Sequence, residues 1–194
     1  MPLIPITTAR LGEHQPLLDL LPDENPISWV RNGEGLVGWG CFARQNVSGP
    51  NRFQLARKWW HEQLDRLEIN NPIHLPGTGP LLFTSFSFDP NEVSELIIPE
   101  VIVGKRGNNS WITWIGDKSQ PKLPSTTSEI KPAEVIWQDQ SADSWRGKVK
   151  QAIDEIQKNR LDKVVLAREI LGKSDTVIDP RFVLKIEPKT NTVV

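Results

Sequence analysis

Hydrophobic and polar residues alternate in the first clear element of the chain, a predicted β-hairpin over residues 27–44. Its first strand places Ile27 and Trp29 on one face. An Asn-Gly pair follows at residues 32–33, and this dipeptide favours a two-residue hairpin turn because both positions tolerate positive φ. The return strand, residues 35–43, contains three glycines, which indicates a bend or a close backbone approach.

Two segments carry apolar residues at the spacing of an α-helix. In residues 51–70, where Asn51 is a plausible N-cap, the apolar face comprises Phe53, Ala56, Trp60, Leu64 and Leu67. In residues 141–160, it comprises Trp145, Val149, Ala152, Ile153 and Ile156. Both patterns follow a 3.6-residue period, so we predict two amphipathic helices that each bury one face.

Further strands are predicted between and after these helices. Residues 81–90 alternate from Phe83 onward, and LIIPEVIVG and SWITWIG form a second hairpin with a Gly-Asn turn. Pro99 within that hairpin marks an edge or a bulge, because proline cannot donate to a strand ladder. AEVIWQD before the second helix is a short strand. Strands joined by hairpins, with helices packed outside, predict an α+β fold built on antiparallel sheets.

Residues 117–133 are polar and rich in proline, which predicts an exposed, mobile loop between two halves. The length of 194 residues suits about one domain. A formal net charge of −1 argues against a nucleic-acid partner. The single cysteine, Cys41, excludes a disulfide within the chain and is predicted to lie in the core.

Nothing in the sequence predicts export or membrane insertion. The first 16 residues lack the basic and apolar regions of a signal peptide. The longest apolar runs are about strand length, far below the ~20 residues that a membrane helix needs. We therefore expect a cytoplasmic protein.

LDKVVLARE, residues 161–169, is the stretch that carries candidate chemistry. A regular strand here would place Lys163, Val165 and Ala167 on one face, with apolar residues in the middle of both faces. That pattern predicts a central strand covered on both sides. A lysine at the start of this strand has two interpretations. It is either a solvent-exposed residue at the strand end or a base in a pocket wall. The second is possible because removing water from an amine favours its neutral form.

LDKVVLAR after an amphipathic helix resembles the signature of the chorismate-utilising enzymes, specifically isochorismate synthase. WVRNGEGLVGWG, FTSFSFDP and PEVIVGKRGNNSWIT resemble the same family, in the expected order. The resemblance covers roughly residues 25–185. It implies part of the chorismate-utilising fold, which is similar to anthranilate synthase component I, and chorismate as the small-molecule substrate.

The resemblance also implies a mechanism. Isochorismate synthases add water at C2 of chorismate and expel the C4 hydroxyl, with Mg²⁺ bound. The lysine of the KVVLAR-type motif, Lys163 here, is the general base that activates the water. A glutamate on the opposite wall protonates the leaving hydroxyl, because attack and departure on different carbons need a base and an acid on different sides. Ammonia-using relatives carry glutamine at the position of Lys163, so the water-using enzymes, isochorismate and salicylate synthases, are favoured.

In this family, the acid glutamate and the Mg²⁺ ligands lie in a C-terminal half. Our expectation is that the chain is the N-terminal half only, with no metal or cofactor ligands of its own, and is inactive alone. Such a piece would associate through exposed strand edges. The alternative class is a non-catalytic binding or regulatory module derived from such an enzyme. The product could serve menaquinone or siderophore synthesis.

Other polar residues are predicted to be structural. Glu155, Glu169 and Glu187 are interpreted as solvated charges, and Arg168 as part of a structural ion pair. The histidines, His14, His61 and His74, show no metal-ligand spacing. Trp29 and Trp39 are predicted to be cross-strand core partners.

Overall fold

The computed structural model describes residues 2–23, 25–116, 119–124, 134–138 and 142–185. The strands are β1 (Ile4–Leu11), β2 (Ile27–Arg31), β3 (Glu34–Trp39), β4 (Ala43–Val47), β5 (Leu67–Asn70), β6 (Phe83–Ser85), β7 (Ser94–Ile98), β8 (Val101–Arg106), β9 (Asn109–Ile115), β10 (Ile136–Gln138) and β11 (Leu171–Lys173). The α-helices are α1 (Arg52–Leu64), α2 (Ala142–Gln157) and α3 (Pro180–Lys185), and a 3₁₀ helix spans Leu17–Leu20.

The chain divides into two compact units: unit 1 (Met1–Glu129 and Val183–Val194) and unit 2 (Ile130–Phe182). Unit 1 contains a six-stranded sheet, ordered β2-β3-β8-β9-β1-β5, and a three-stranded sheet, ordered β4-β7-β6. Unit 2 contains the antiparallel pair β10-β11 and helix α2. All described pairs are antiparallel except β1-β5. The α+β prediction is therefore confirmed.

Both predicted hairpins form. Asn32 and Gly33 have φ of 53° and 75°, as the tight turn between β2 and β3 requires. β8 and β9 pair across the Gly107-Asn108 turn. Pro99 lies between β7 and β8, where the chain leaves the three-stranded sheet and enters the six-stranded sheet. The proline thus separates two strands that the sequence analysis joined into one.

One face of the six-stranded sheet carries the larger core. The 3₁₀ segment buries Leu17, Leu20 and Leu21 against Val37, Val103 and Ile112 of the sheet. These three strand residues come from β3, β8 and β9, and each is fully buried. Burial of these six aliphatic side chains contributes about 1.5–3 kcal/mol each, so this face of the sheet is a main source of stability for unit 1.

The first helix is shorter than predicted. It ends at Leu64, and residues 67–70 pair instead with β1 as a parallel strand. Its buried side is formed by Ala56 and Trp59, which pack with Val47 and Leu96 of the three-stranded sheet. Strand pairing with a distant segment therefore overrides the local helical period in the last turn.

Three further predictions for unit 1 are wrong. Trp29 is 75% exposed, and its cross-strand neighbour is Leu36. Trp39 packs against the core, as predicted, but on the opposite face from Trp29, and its partner in register is Val101. Cys41 is exposed, because it lies in the bend between the two sheets rather than in a strand. Of the strand predicted over residues 81–90, only β6 forms.

Of the predicted loop over residues 117–133, positions 117–118 and 125–133 lie outside the described residues. No described helix combines the length and apolar character that crossing a lipid bilayer requires.

A buried pair of hydroxyl groups joins β1 to β9. Thr8 Oγ1 and Thr113 Oγ1 are 2.9 Å apart, and both residues are almost fully buried. We expect Thr113→Val to lower the free energy of unfolding by about 1–3 kcal/mol, because the Thr8 hydroxyl loses its partner. The double variant Thr8→Val/Thr113→Val should cost less than the two single changes together. Urea unfolding of all four proteins tests this coupling, and strictly additive losses would contradict it.

Candidate functional site

The segment that holds the candidate base follows directly from the end of α2. Asn159 adopts the left-handed conformation, with φ of 54°. The Asn159 N–H donates to the Ile156 carbonyl and the Arg160 N–H to the Glu155 carbonyl, both at 3.0 Å. These two bonds form a Schellman motif, which ends the helix and turns the chain into residues 161–170. Asparagine suits this position because its side chain tolerates positive φ.

Residues 161–170 do not form the predicted central strand. All ten are described, none belongs to a strand, and nine are exposed. Only Leu166 is half-buried, while Val165 is 82% exposed. The alternating pattern is present in the sequence. However, no described strand pairs with this segment, and its side chains stay exposed on both faces. The sequence thus has the character of a buried strand without the partners that burial needs.

Lys163 is exposed within this segment and makes no ion pair with any described residue. The cavities found in unit 2 are lined by α2 residues such as Trp145 and Val149, or by residues around Glu134 and Lys173. Lys163 lines neither of them. In the described conformation, Lys163 is therefore an exposed residue outside both of these cavities.

The other polar side chains of the motif have structural contacts. The Arg168 guanidinium lies 5.7 Å from the centre of the Trp145 ring, a cation–π distance that ties the extended segment to α2. Glu155, predicted to be a solvated charge, is partly buried and pairs with Arg160 beside the Schellman motif. Glu169 is exposed, as predicted. Glu187 lies outside the described residues.

The described carboxylates and histidines were compared with what a metal ion needs. Among them, no group of three or more His, Cys, Asp or Glu side chains could hold a metal ion. Two histidines instead lie beside backbone carbonyls, His14 next to Gln15 and His61 next to Arg57.

Unit 1 contains a second candidate site that the sequence analysis missed. An open groove of about 1050 Å³ lies against the β2-β3 hairpin, β8, β9 and the loop around Gly77. Two arginines line it, Arg31 and Arg106, and Lys105 also belongs to the lining, although strand alternation directs its side chain to the opposite face with Val103. Arg31 and Arg106 are 75 positions apart (106 − 31), so only the pairing of β3 with β8 brings them together. No local motif could have signalled this group.

Comparison with known proteins identifies the family. No curated protein and no solved structure matches the chain. Residues 26–192 match the family described as chorismate-binding enzyme. This match spans both units, including the β2-β3 hairpin and the segment with Lys163, and covers well over half of the 194 residues. The chain therefore belongs to the chorismate-binding enzyme family.

Proposed function

We propose that the chain functions in isochorismate synthesis, with Lys163 as the general base. The observation that carries this proposal is the LDKVVLAR sequence, placed after the amphipathic helix α2 in a member of the chorismate-binding enzyme family. The lysine is the discriminating residue within that sequence. The resemblance assigns glutamine to this position in ammonia-using enzymes and lysine to those that use water.

The proposed reaction moves a hydroxyl group without changing the formula of the substrate. The neutral Lys163 amine takes a proton from water, and the oxygen bonds to C2 of chorismate. Both double bonds of the ring shift, C1=C2 to C1=C6 and C5=C6 to C4=C5, as the C4–O bond breaks, and the departing hydroxyl receives a proton from an acid on the opposite wall. Lys163 supplies the first proton transfer. The resemblance assigns the acid to a glutamate in the C-terminal half of family members, together with the ligands of Mg²⁺.

The exposure of residues 161–170 supports the expectation that this chemistry needs a further polypeptide to cover them. A solvated ammonium group stays protonated near neutral pH and is a poor base, whereas an amine with little water around it is a usable one. Val164 and Val165 flank the lysine and are 39% and 82% exposed. A polypeptide that pairs with this segment would cover both valines and remove water from Lys163. The 194-residue chain is therefore expected to be inactive alone and active in such a complex.

Salicylate synthesis is the alternative within the family. It begins with the same addition of water and continues by eliminating pyruvate, so Lys163 does not distinguish the two.

A non-catalytic module is the alternative of another class. It is favoured by the exposed apolar residues of unit 2, which would suit a surface that only docks a partner protein. These apolar residues include Ile136, Trp137, Val165 and Leu171.

A complementation assay tests the proposal. The chain is mixed with the separately produced C-terminal half of an isochorismate synthase, and chorismate and Mg²⁺ are added. We expect isochorismate in the chromatogram and no pyruvate in an assay coupled to lactate dehydrogenase and NADH. Salicylate with one pyruvate per turnover would assign the chain to salicylate synthesis instead. A stable complex without turnover would favour the non-catalytic module.

A further inference from the structure

The groove of unit 1 has an apolar floor and one aromatic wall. Trp29, Leu36, Gly104 and Trp111 lie in one row across four strands and share a face of the six-stranded sheet. Trp111 is buried, and its Nε1–H donates to the Gly77 carbonyl at 2.9 Å, which fixes the loop over the sheet. Trp29 is largely exposed and forms the wall. An exposed indole beside a fixed apolar floor suits a flat, apolar ligand.

The rim of the groove carries an excess of positive charge. Arg31 and Arg106 line it on the same face of the sheet as Trp29 and Leu36, and neither has an ion-pair partner within the described part of the chain. The one carboxylate of the lining, Glu34, accepts the Gly107 N–H at 2.9 Å. Two arginines and one carboxylate give this face of the groove a local charge of +1, in a chain whose formal net charge is −1. Such a group attracts an anion.

We infer that this groove is a binding site for a small aromatic carboxylate, separate in sequence from the Lys163 segment. The flat ring lies against Trp29 and Leu36, and the carboxylate faces the cations. Arg106 and Arg31 can each offer two parallel N–H donors to a carboxylate. The inference goes beyond the proposed function, because every lining residue belongs to unit 1 and binding requires no turnover.

A titration of the full chain followed by ¹H–¹⁵N spectra tests this site. The probe is 3-phenylpropionate, and the matched control is its neutral amide. We expect saturable shifts of the Trp29 indole resonance, assigned with Trp29→Phe, and an apparent Kd about tenfold lower for the carboxylate than for the amide. That ratio corresponds to about 1.4 kcal/mol, the strength of exposed ion pairs with two arginines.

Charge variants separate local binding from the general field of the protein. Arg106→Gln should weaken binding of 3-phenylpropionate about threefold to fivefold. Arg57→Gln removes an exposed cation from α1, outside the groove lining, and should leave the Kd unchanged. Equal binding of the acid and the amide, equal effects of the two variants, or an unresponsive Trp29 would each overturn the site. Shifts that appear on concentrating the protein alone would assign the groove to a second copy of the chain and also overturn it.

Discussion

Replacing Gly104 with alanine is expected to lower the free energy of unfolding of unit 1 by about 3 kcal/mol. A Cβ built at Gly104 would lie 2.3 Å from Cε2 and Cζ2 of Trp111 and 2.6 Å from its Nε1. The indole has little freedom to move, because it is buried and bonded to the Gly77 carbonyl. Relief of the clash must therefore shift the backbone of β8 or break that hydrogen bond, and either change is costly. Urea unfolding measures the loss.

Two further variants establish the cause. Gly12→Ala is the matched control, because nothing lies within 4 Å of its added Cβ and its backbone is not in the left-handed region, so a change within about 0.5 kcal/mol is expected. Trp111→Leu removes the ring atoms that clash, so its combination with Gly104→Ala should cost less than the two single changes added. Two results would contradict this explanation. One is a loss of unfolding free energy at Gly104 no larger than at Gly12. The other is strict additivity of the changes at Gly104 and Trp111, which would show that their close approach does not cause the loss.

The sequence predicted the elements whose signals are local. The Asn32-Gly33 turn requires positive φ at two successive positions, and few dipeptides tolerate this, so the hairpin was visible without any tertiary information. Helix α2 was visible because its apolar face repeats over four turns. Pro99 was recognised as an interruption for the same kind of reason, since its missing donor is a property of the residue itself.

Elements that depend on distant partners were missed. β1 begins with Ile4-Pro5, which reads as a poor strand, yet it lies between β9 and β5 and buries Ile6 and Thr8. Its place in the sheet depends on segments about 60 and 100 residues away, which no local pattern shows. The same pairing shortened α1. Trp29 was misplaced because alternation tells which residues share a face and not whether that face is covered.

The candidate site shows the same division. Residue types identified Lys163 as the group able to act as a base. Its surroundings depend on what pairs with residues 161–170, and alternation alone predicted a buried strand there, whereas the described structure leaves it unpaired. The cations of the groove were missed because Arg31 and Arg106 approach each other only through sheet pairing. Residue identity thus led to a prediction of chemistry at Lys163, whereas the surroundings of that residue could not be predicted.

Replacing Lys163 with alanine is expected to lower the rate of isochorismate formation in the complemented complex by about 10²–10⁴-fold. The reason is the loss of the proton transfer that makes water nucleophilic, so kcat should fall while KM for chorismate changes little. Lys158→Ala is the matched control, because this lysine is also exposed, also follows α2, and lies outside the LDKVVLAR sequence. Chromatography of chorismate and isochorismate, at several chorismate concentrations, gives kcat and KM for both variants.

Lys163→Arg separates a base from a positive charge. Arginine keeps the charge at this position but stays protonated at any pH that the protein tolerates, so it cannot accept a proton from water. If Lys163 is the base, the arginine variant should be as slow as the alanine variant, although complex formation, measured by sedimentation velocity, stays intact. A variant with arginine that retains most of the activity would show that Lys163 holds a carboxylate of the substrate, and that the base is another group.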